Sequence, residues 1–449
     1  MTAPRLFGTD GIRAPFGSHP LDQPTVGALG AALGETLRRH SEVPRIVLGG
    51  DTRDSRGPLA AWLATGLAAS GVRVFDAGVL PTPGVAFLVR EHEADAGVAL
   101  SASHNPYPDN GIKLIDAQGF KWTPEAEAAL EERMAAKDLP GATEGSLEPL
   151  DSASYRESLV ASLGSERLPL AGLRLALDTG HGAASALAGA LFDELGAEVT
   201  LLGHSPDGQN INRDCGSTEP GELAETVRRE RLDAGFAFDG DADRAILVDE
   251  EGTVRDGDHI LYLWARDLAA AGHLDPKALV VTSMSNLGLE RALAADGIEV
   301  LRCGVGDRQV VDTLRRHDLA LGGEQSGHIV NLRLSTTGDG LLTALQTAAI
   351  LRRADRPVSA LLSAFRRFPQ ILQNVTVARK PDLTTLPAVV AAARDAEERL
   401  GQEGRLVLRY SGTEPLARVM IEGPDQATIE RLAGNIAHAI AGEIGAESA

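Results

Sequence analysis

One pattern recurs three times along the chain: an apolar run rich in Val, Ile or Leu, a loop of small and polar residues, an amphipathic stretch, a glycine, and a second apolar run. The first copy reads RIVLGGDTRDS, then LAAWLATGLAAS, Gly71 and VRVFDAG. The second is LRLALDTGHGAAS, then ALAGALFDELG ending at Gly196, and AEVTLLG. The third is ALVVTSMSNLG, then LERALAADG ending at Gly297, and IEVLRCG. Each reads as strand, loop, helix, glycine cap and strand. Parallel neighbours need a crossover of this kind, so three copies imply three related α/β layers with substantially parallel sheets. The copies share a pattern more than they share letters.

A chain of 449 residues is too long for one core. Asp138–Ser152 is polar and turn-rich and reads as a linker, and Asp249–Asp258 reads as a hairpin leading into HILYLWARDLAAAG. Arg366–Asn374 precedes a segment of different style. From about Val375 the order is strand, Ala-rich helix, two strands and a final helix, a smaller α+β unit. The expected fold class is α/β: three related α/β domains with mixed, largely parallel sheets plus a smaller C-terminal α+β domain, around a central cleft. The expected boundaries are 1–145, 146–250, 251–368 and 369–449.

Composition narrows the function. The chain carries 43 Lys and Arg against 63 Asp and Glu, a net charge of −20. That argues against a nucleic-acid partner, which needs clustered positive charge to neutralise phosphates. An anionic small molecule remains compatible if the positive charge is concentrated in a cleft. Two cysteines, Cys215 and Cys303, make neither a disulfide framework nor a zinc pattern and fit a reducing compartment. The stretch MTAPRLFGTDG lacks the layout of a signal peptide, and no run of ~18 apolar residues offers a membrane span. The expectation is a cytoplasmic protein without a membrane partner, monomer or homodimer.

Four short segments carry chemistry. In FAFDGDADRAILV, Asp239, Asp241 and Asp243 alternate between two apolar runs. Carboxylates this close repel unless a cation neutralises them, and hard oxygen ligands suit Mg²⁺ or Ca²⁺. A solvated acidic turn has the same letters. In RYSGTEPLARVM, Arg409, Ser411, Gly412, Thr413 and Arg418 make a hydroxyl- and amide-rich loop flanked by guanidiniums, suited to a phosphate or a carboxylate. A tight Ser-Gly turn before a strand is the plainer alternative. GGEQSGH places Glu324, Ser326 and His328 in a glycine-punctuated loop, hydrogen-bonding groups for sugar hydroxyls with an imidazole able to move protons. Finally, LSASHNPYPDNGIK holds Ser103 and the adjacent His104 without the G-x-S-x-G setting of a hydrolase serine. Metal-assisted phosphoryl transfer is the other way to employ Ser103, with Lys113, which follows a DNG turn, as charge stabiliser or acid/base.

In this order and spacing, ASHNP with DNGIK, DGDADR, GEQSGH and RYSGTEP resemble the α-D-phosphohexomutase superfamily. FGTDGIR and Gln325 in GEQSGH are most similar to its bacterial phosphoglucosamine mutase branch. The resemblance implies four domains, each lending a loop to one cleft. It implies a phosphate on Ser103, and Mg²⁺ held by that phosphoserine with Asp239, Asp241 and Asp243. Glu324 and Ser326 would hold the sugar, while Arg409, Ser411, Gly412, Thr413 and Arg418 would grip its non-reacting phosphate. Arg13, His104, Lys113, Arg244 and His328 match positions for phosphate contact or proton transfer. The implied partner is a hexosamine phosphate. The implied reaction turns glucosamine 6-phosphate into glucosamine 1-phosphate through glucosamine 1,6-bisphosphate, supplying UDP-N-acetylglucosamine. Ala14, His181, Ala242 and Gln309 stand where the family forms carry Gly, Asn, Gly and Tyr. None of them is a proposed metal ligand.

Overall fold

The protein is described by a computed structural model covering residues 6–135, 139, 144–411 and 414–445. It divides into two compact units, Met1–Thr282 with Leu301–Leu362, and Ser283–Val300 with Ser363–Ala449. All three repeats form as written. Strands Arg45–Gly50 and Arg73–Val79 flank helix Arg56–Ala68, and strands Arg174–Asp178 and Glu198–Leu202 flank helix Ala188–Glu194. In the third, helix Leu287–Ala294 lies between strands Ala278–Thr282 and Glu299–Cys303, and it belongs to the second unit. Just beyond each helix a glycine adopts a left-handed backbone, with φ of +69° at Gly71, +96° at Gly196 and +69° at Gly297. Only glycine takes this conformation without steric cost, so these residues set where each helix stops.

The sheets are mixed. In the first, the order is Phe7–Gly8, Gly11–Pro15, Asp109–Asp116, Ala96–Leu100, Arg45–Gly50, Arg73–Val79 and Leu147–Pro149. Its repeat strands run parallel, as does Leu147–Pro149, which adds an edge strand inside the stretch expected to be linker. The other side of the sheet is antiparallel. The second sheet repeats this plan: Arg174–Asp178 pairs in parallel with both Glu198–Leu202 and Ala234–Phe238, and Ala245–Asp249 closes back antiparallel. In the third, Ala278–Thr282 pairs in parallel with Leu321–Gly323, which folds back onto Ile329–Asn331.

This arrangement decides where the chemistry sits. Ser103, the three aspartates and His328 all lie on connections between a strand of the parallel core and an antiparallel neighbour, outside the βαβ repeats. DNG is the start of strand Asp109–Asp116 and not the turn expected before Lys113. It pairs on both sides, and a Cβ on Gly111 would lie 2.2 Å from the Ser101 carbonyl oxygen, so the strand approaches the serine loop only with glycine there.

The second unit contains an antiparallel sheet ordered Gln370–Thr376, Leu416–Glu422, Arg405–Tyr410, with helices Pro387–Leu400 and Gln426–Ile444. Its first strand begins at Gln370, earlier than the Val375 from which the change of style is read. QILQNVT alternates half-buried and exposed positions, the period of a one-sided strand. Ile371, Val419, Ile421, Ile429, Leu432 and Ile436 share its core. No helix among the described residues is long and apolar enough to cross a membrane.

Candidate active site

Ser103 is buried and its backbone sits at φ +53°. A left-handed non-glycine residue costs on the order of 1–3 kcal/mol, so surrounding contacts must hold it there. They do. Its N–H donates to Ser101 Oγ at 2.9 Å, and its carbonyl oxygen accepts from Asn212 Nδ2 at 2.9 Å and Arg53 Nη2 at 3.4 Å. Ser101 Oγ donates to Asp51 Oδ2 at 2.6 Å, and the same carboxylate oxygen is paired with Arg53 Nε at 3.0 Å. Arg53 also donates to the carbonyls of Pro106 and Asn105. The first repeat's loop therefore grips the serine loop through Asp51 and Arg53, two residues the motif reading passed over.

The conformation aims the hydroxyl. Ser103 Oγ donates to Asp239 Oδ2 at 2.6 Å and lies 3.3 Å from His104 Nδ1. Asp239, Asp241 and Asp243 are all buried and present carboxylate oxygens within 4.8 Å of one another. Burial, followed by the charges of Asp243 and Asp241, pushes the Asp239 carboxyl well above its usual range. For Asp241 burial acts upward too, yet the Lys113 ammonium and hydrogen bonds from Lys113 and Thr82 outweigh it and hold the carboxyl below the ordinary value. Asp241 Oδ1 and Asp243 Oδ1 are buried and accept no hydrogen bond among the described residues. Such oxygens are costly to leave unpartnered, and a hard cation coordinated by carboxylates would satisfy them. The cluster is thus fitted to hold a metal ion. Ala242, inside this loop, has a left-handed φ of +51°.

Cationic groups line the same place. Lys113 Nζ, buried, contacts Asp241 Oδ2 at 2.8 Å, Asp10 Oδ2 at 3.2 Å and Asp243 Oδ2 at 3.4 Å. Burial alone would lower its pKa, but these three carboxylates raise it well above the usual range. Arg244 lies 3.7 Å from Asp243 Oδ1 and 3.9 Å from Asp239 Oδ2; its backbone N–H donates to Asp239 Oδ1. Arg13 donates to Ala102 O at 3.1 Å and Asn105 Oδ1 at 3.3 Å and pairs with Asp10. Burial, then the guanidiniums of Arg244 and Arg13, push the His104 pKa down to about 4, so its imidazole is neutral near pH 7.

His328 is buried with Nε2 3.8 Å from Asp307 and 3.9 Å from Asp243, and neither ring nitrogen makes a hydrogen bond among the described residues. Lys121 joins Asp10 to Asp307, linking the FGTDG and VGDR segments. Glu324 Oε1 accepts from the Gly306 N–H at 3.1 Å, and its charge acts on Arg244. Ser326 is exposed on the same loop. Asp10, Lys121, Asp307 and Asn212 escaped the sequence reading. The signal was present in FGTDGIR and VGDR, but only the tertiary fold pairs them.

The terminal loop is in the second unit. Arg409 and Arg418 face each other in register on neighbouring strands. Partial burial, then the Arg418 charge, lowers the Arg409 pKa. Arg418 Nη2 contacts Glu414 at 2.6 Å, and Ser411 Oγ donates to Glu414 at 3.2 Å. Gly412 and Thr413 lie outside the described residues. The structure thus brings Ser103, His104, Lys113, Arg13, Arg244, His328 and the three aspartates into one cluster within the first unit, with Glu324 beside Arg244.

Comparisons with known proteins match this arrangement along the whole chain. Descriptions of phosphoglucomutase/phosphomannomutase domains match in order: alpha/beta/alpha domain I at residues 4–140, domain II at 153–252, domain III at 256–368, and the C-terminal domain at 372–439. A protein named phosphoglucosamine mutase from Symbiobacterium thermophilum is 46% identical over 448 residues, covering 98% of this chain and 100% of its own length. One of the same name from Pelobacter propionicus is 44% identical, covering 96% and 97%. Among solved structures, a phosphoglucomutase/phosphomannomutase family protein from Burkholderia thailandensis superposes with a TM-score of 0.82 at 26% identity, covering 97% of each chain. An Aspergillus fumigatus N-acetylphosphoglucosamine mutase, solved with GlcNAc-6P and magnesium, shares the fold at TM-score 0.66 and 18% identity, covering 97% and 95%. With four matched domains and full-length relatives at this identity, the chain belongs to the phosphoglucomutase/phosphomannomutase family.

Proposed function

We propose that this chain interconverts glucosamine 6-phosphate and glucosamine 1-phosphate by way of a phosphate carried on Ser103 and a bisphosphorylated sugar. The observation that carries the chemistry is the Ser103 hydroxyl, held in a left-handed backbone and donating to Asp239 at the edge of a buried carboxylate cluster. The choice of sugar rests on relatives named phosphoglucosamine mutase at 44–46% identity.

In this reading the bond from phosphorus to Ser103 Oγ breaks as a bond forms to the free hydroxyl of the sugar monophosphate. The hydroxyl proton goes to His328, whose ring nitrogens make no hydrogen bond among the described residues. Lys113, ion-paired to three carboxylates, contributes charge. The bisphosphorylated sugar turns over, the bond from its other phosphorus to the sugar oxygen breaks as a bond forms to Ser103 Oγ, and His328 returns the proton to that sugar oxygen. Asp239, Asp241 and Asp243 with the phosphoserine would hold Mg²⁺, which supplies charge neutralisation for phosphoryl transfer. Arg13, His104 and Arg244 bind phosphate oxygens, and Glu324 and Ser326 bind sugar hydroxyls. Arg409, Ser411, Gly412, Thr413 and Arg418 hold the phosphate that is not reacting. The domain division 1–145, 146–250, 251–368 and 369–449 assigns one such loop to each domain.

Coupled turnover on glucosamine 6-phosphate and on glucose 6-phosphate, with intact-mass measurement, tests this. The expected result is higher kcat/KM on the amino sugar and a phosphate-sized mass increment that Ser103→Ala lacks. Preference for glucose 6-phosphate would reassign the substrate, and release of inorganic phosphate in step with substrate loss would make the protein a phosphatase.

A further inference from the structure

The segment PTPGVAF, Pro81–Phe87, has no part in the chemistry assigned above, yet it touches the aspartate cluster twice. Thr82 opens helix Thr82–Glu91 and is buried. Its hydroxyl donates to Asp241 Oδ2 at 2.6 Å, and its backbone N–H donates to the Asp241 carbonyl oxygen at 3.0 Å. Lys113 Nζ approaches the same Oδ2 at 2.8 Å. Two donors therefore converge on one oxygen, and Oδ1 is left buried with no donor among the described residues.

The rest of the aspartate loop is held in the same manner. The Asp239 carbonyl oxygen accepts from the Ala242 N–H at 3.0 Å, that of Gly240 from Ala183 at 2.8 Å, and that of Ala242 from Gly340 at 2.9 Å. The four carbonyls from Asp239 to Ala242 each accept a backbone hydrogen bond, so the loop's backbone is held from several sides. Of these four bonds, only the one from Thr82 is accompanied by a side-chain bond to a carboxylate of the cluster.

We infer that Thr82 is a positioning residue for the cation cluster: by holding Asp241 Oδ2 it fixes the carboxylate so that Oδ1 is the oxygen available to the metal. Hydrogen bonds to a ligand's other oxygen orient it, and removing such partners typically weakens metal binding by about 10-fold to 100-fold. This inference rests on the reading that the three aspartates hold Mg²⁺.

Calorimetric titration of the full chain with Mg²⁺ tests it, on the parent, Thr82→Val and Thr82→Ser. Val keeps the shape and removes the donor; Ser keeps the donor. The expected result is a dissociation constant for Mg²⁺ raised about 10-fold or more in Thr82→Val and within about 2-fold of the parent in Thr82→Ser. Melting of the metal-free chains should be similar, while the upward shift on adding Mg²⁺ shrinks only in Thr82→Val. If Val disturbs the fold, Thr82→Ala against Thr82→Ser gives the same contrast. Equal Mg²⁺ affinity in Thr82→Val and the parent overturns the assignment, as does equal weakening in Thr82→Ser. A parent chain that binds no Mg²⁺ overturns the cluster reading itself, and the role of Thr82 falls with it.

Discussion

The Ser103 loop joins strands Ala96–Leu100 and Asp109–Asp116, and the terminal loop joins Arg405–Tyr410 and Leu416–Glu422. Both pairs are antiparallel, but they are furnished in opposite ways. Around Ser103, buried donors and acceptors bind one another: Asp51, Arg53, Ser101 and Asn212 hold the backbone while Asp239 receives the hydroxyl. In the terminal hairpin two half-buried guanidiniums face each other across the strands, and Arg409 has no carboxylate partner among the described residues. Like charges directly opposite destabilise a strand pair, so this arrangement is tolerated at a cost. Transferring a phosphoryl group calls for dipoles fixed in advance. Holding a phosphate calls for positive charge left unneutralised until the ligand arrives. Most polar groups around Ser103 therefore stabilise one another, and the cost there is confined to its left-handed backbone and two aspartate oxygens, whereas in the terminal hairpin the facing charges themselves oppose stability.

The largest effect that could break this contrast is at the serine. On the proposal that Ser103 carries the phosphate, coupled turnover of Ser103→Ala should fall by at least about 10⁴-fold, the scale of losing a covalent nucleophile. Residual activity above a hundredth of the parent's would sink the carrier role. Ser103→Gly should be equally inactive but melt higher than Ser103→Ala by about 1 kcal/mol, since glycine relieves the left-handed backbone. Equal melting would show that the loop is not strained there.

What the sequence disclosed follows the same division. Asp239, Asp241, Asp243, Ser103 and His328 were legible because each sits in a short segment whose residue types have few other uses. The βαβ repeats were legible from period and glycine caps. The bracing was not: Asp51 and Arg53 lie in an ordinary-looking strand–helix loop, and Thr82 is the first residue of helix Thr82–Glu91. Their importance comes from reaching residues 50 or more positions away. Nor does any letter announce that Ser103 and Ala242 adopt backbones glycine prefers. Strand Leu147–Pro149 was hidden for a related reason, since a three-residue edge strand shows no periodicity of its own.

A second measurement sharpens the contrast inside the buried region, where ionisation itself is expensive. Asp339 caps helix Gly340–Ala354 through Leu342 N–H at 3.0 Å and accepts from Tyr155 OH at 2.9 Å. Burial pushes its carboxyl up to about 6 from the ordinary 3.8, against the lowering effect of those hydrogen bonds. The folded chain therefore binds this proton more tightly than the unfolded one, and stability from this group is lost as pH rises from about 4 through 6. The full difference is on the order of 3 kcal/mol. Asp339→Asn lacks this titration while keeping a cap. Urea unfolding at pH 4.5 and pH 7 should show the variant gaining on the parent by about 2 kcal/mol at the higher pH. A constant difference between the two chains would mean that Asp339 titrates normally.

The smallest effect on stability should come from the terminal hairpin, and it separates the two regions most directly. Arg418→Ala removes a guanidinium whose only close carboxylate contact among the described residues is an ion pair with half-exposed Glu414, worth at most about 1 kcal/mol. It also relieves the opposition to Arg409. These terms offset each other, so the melting temperature should stay near the parent's. Binding should not: losing charge-assisted hydrogen bonds of about 1.5–3 kcal/mol to a phosphate raises KM for the sugar phosphate by roughly 10-fold to 100-fold. If that phosphate is the non-reacting one, kcat changes much less than KM, because the bond being made and broken lies elsewhere. A variant that loses kcat and KM together, or that melts several degrees lower, would mean the terminal guanidiniums act as the Ser103 braces do. The contrast between a preorganised centre and an open anion holder would then be gone.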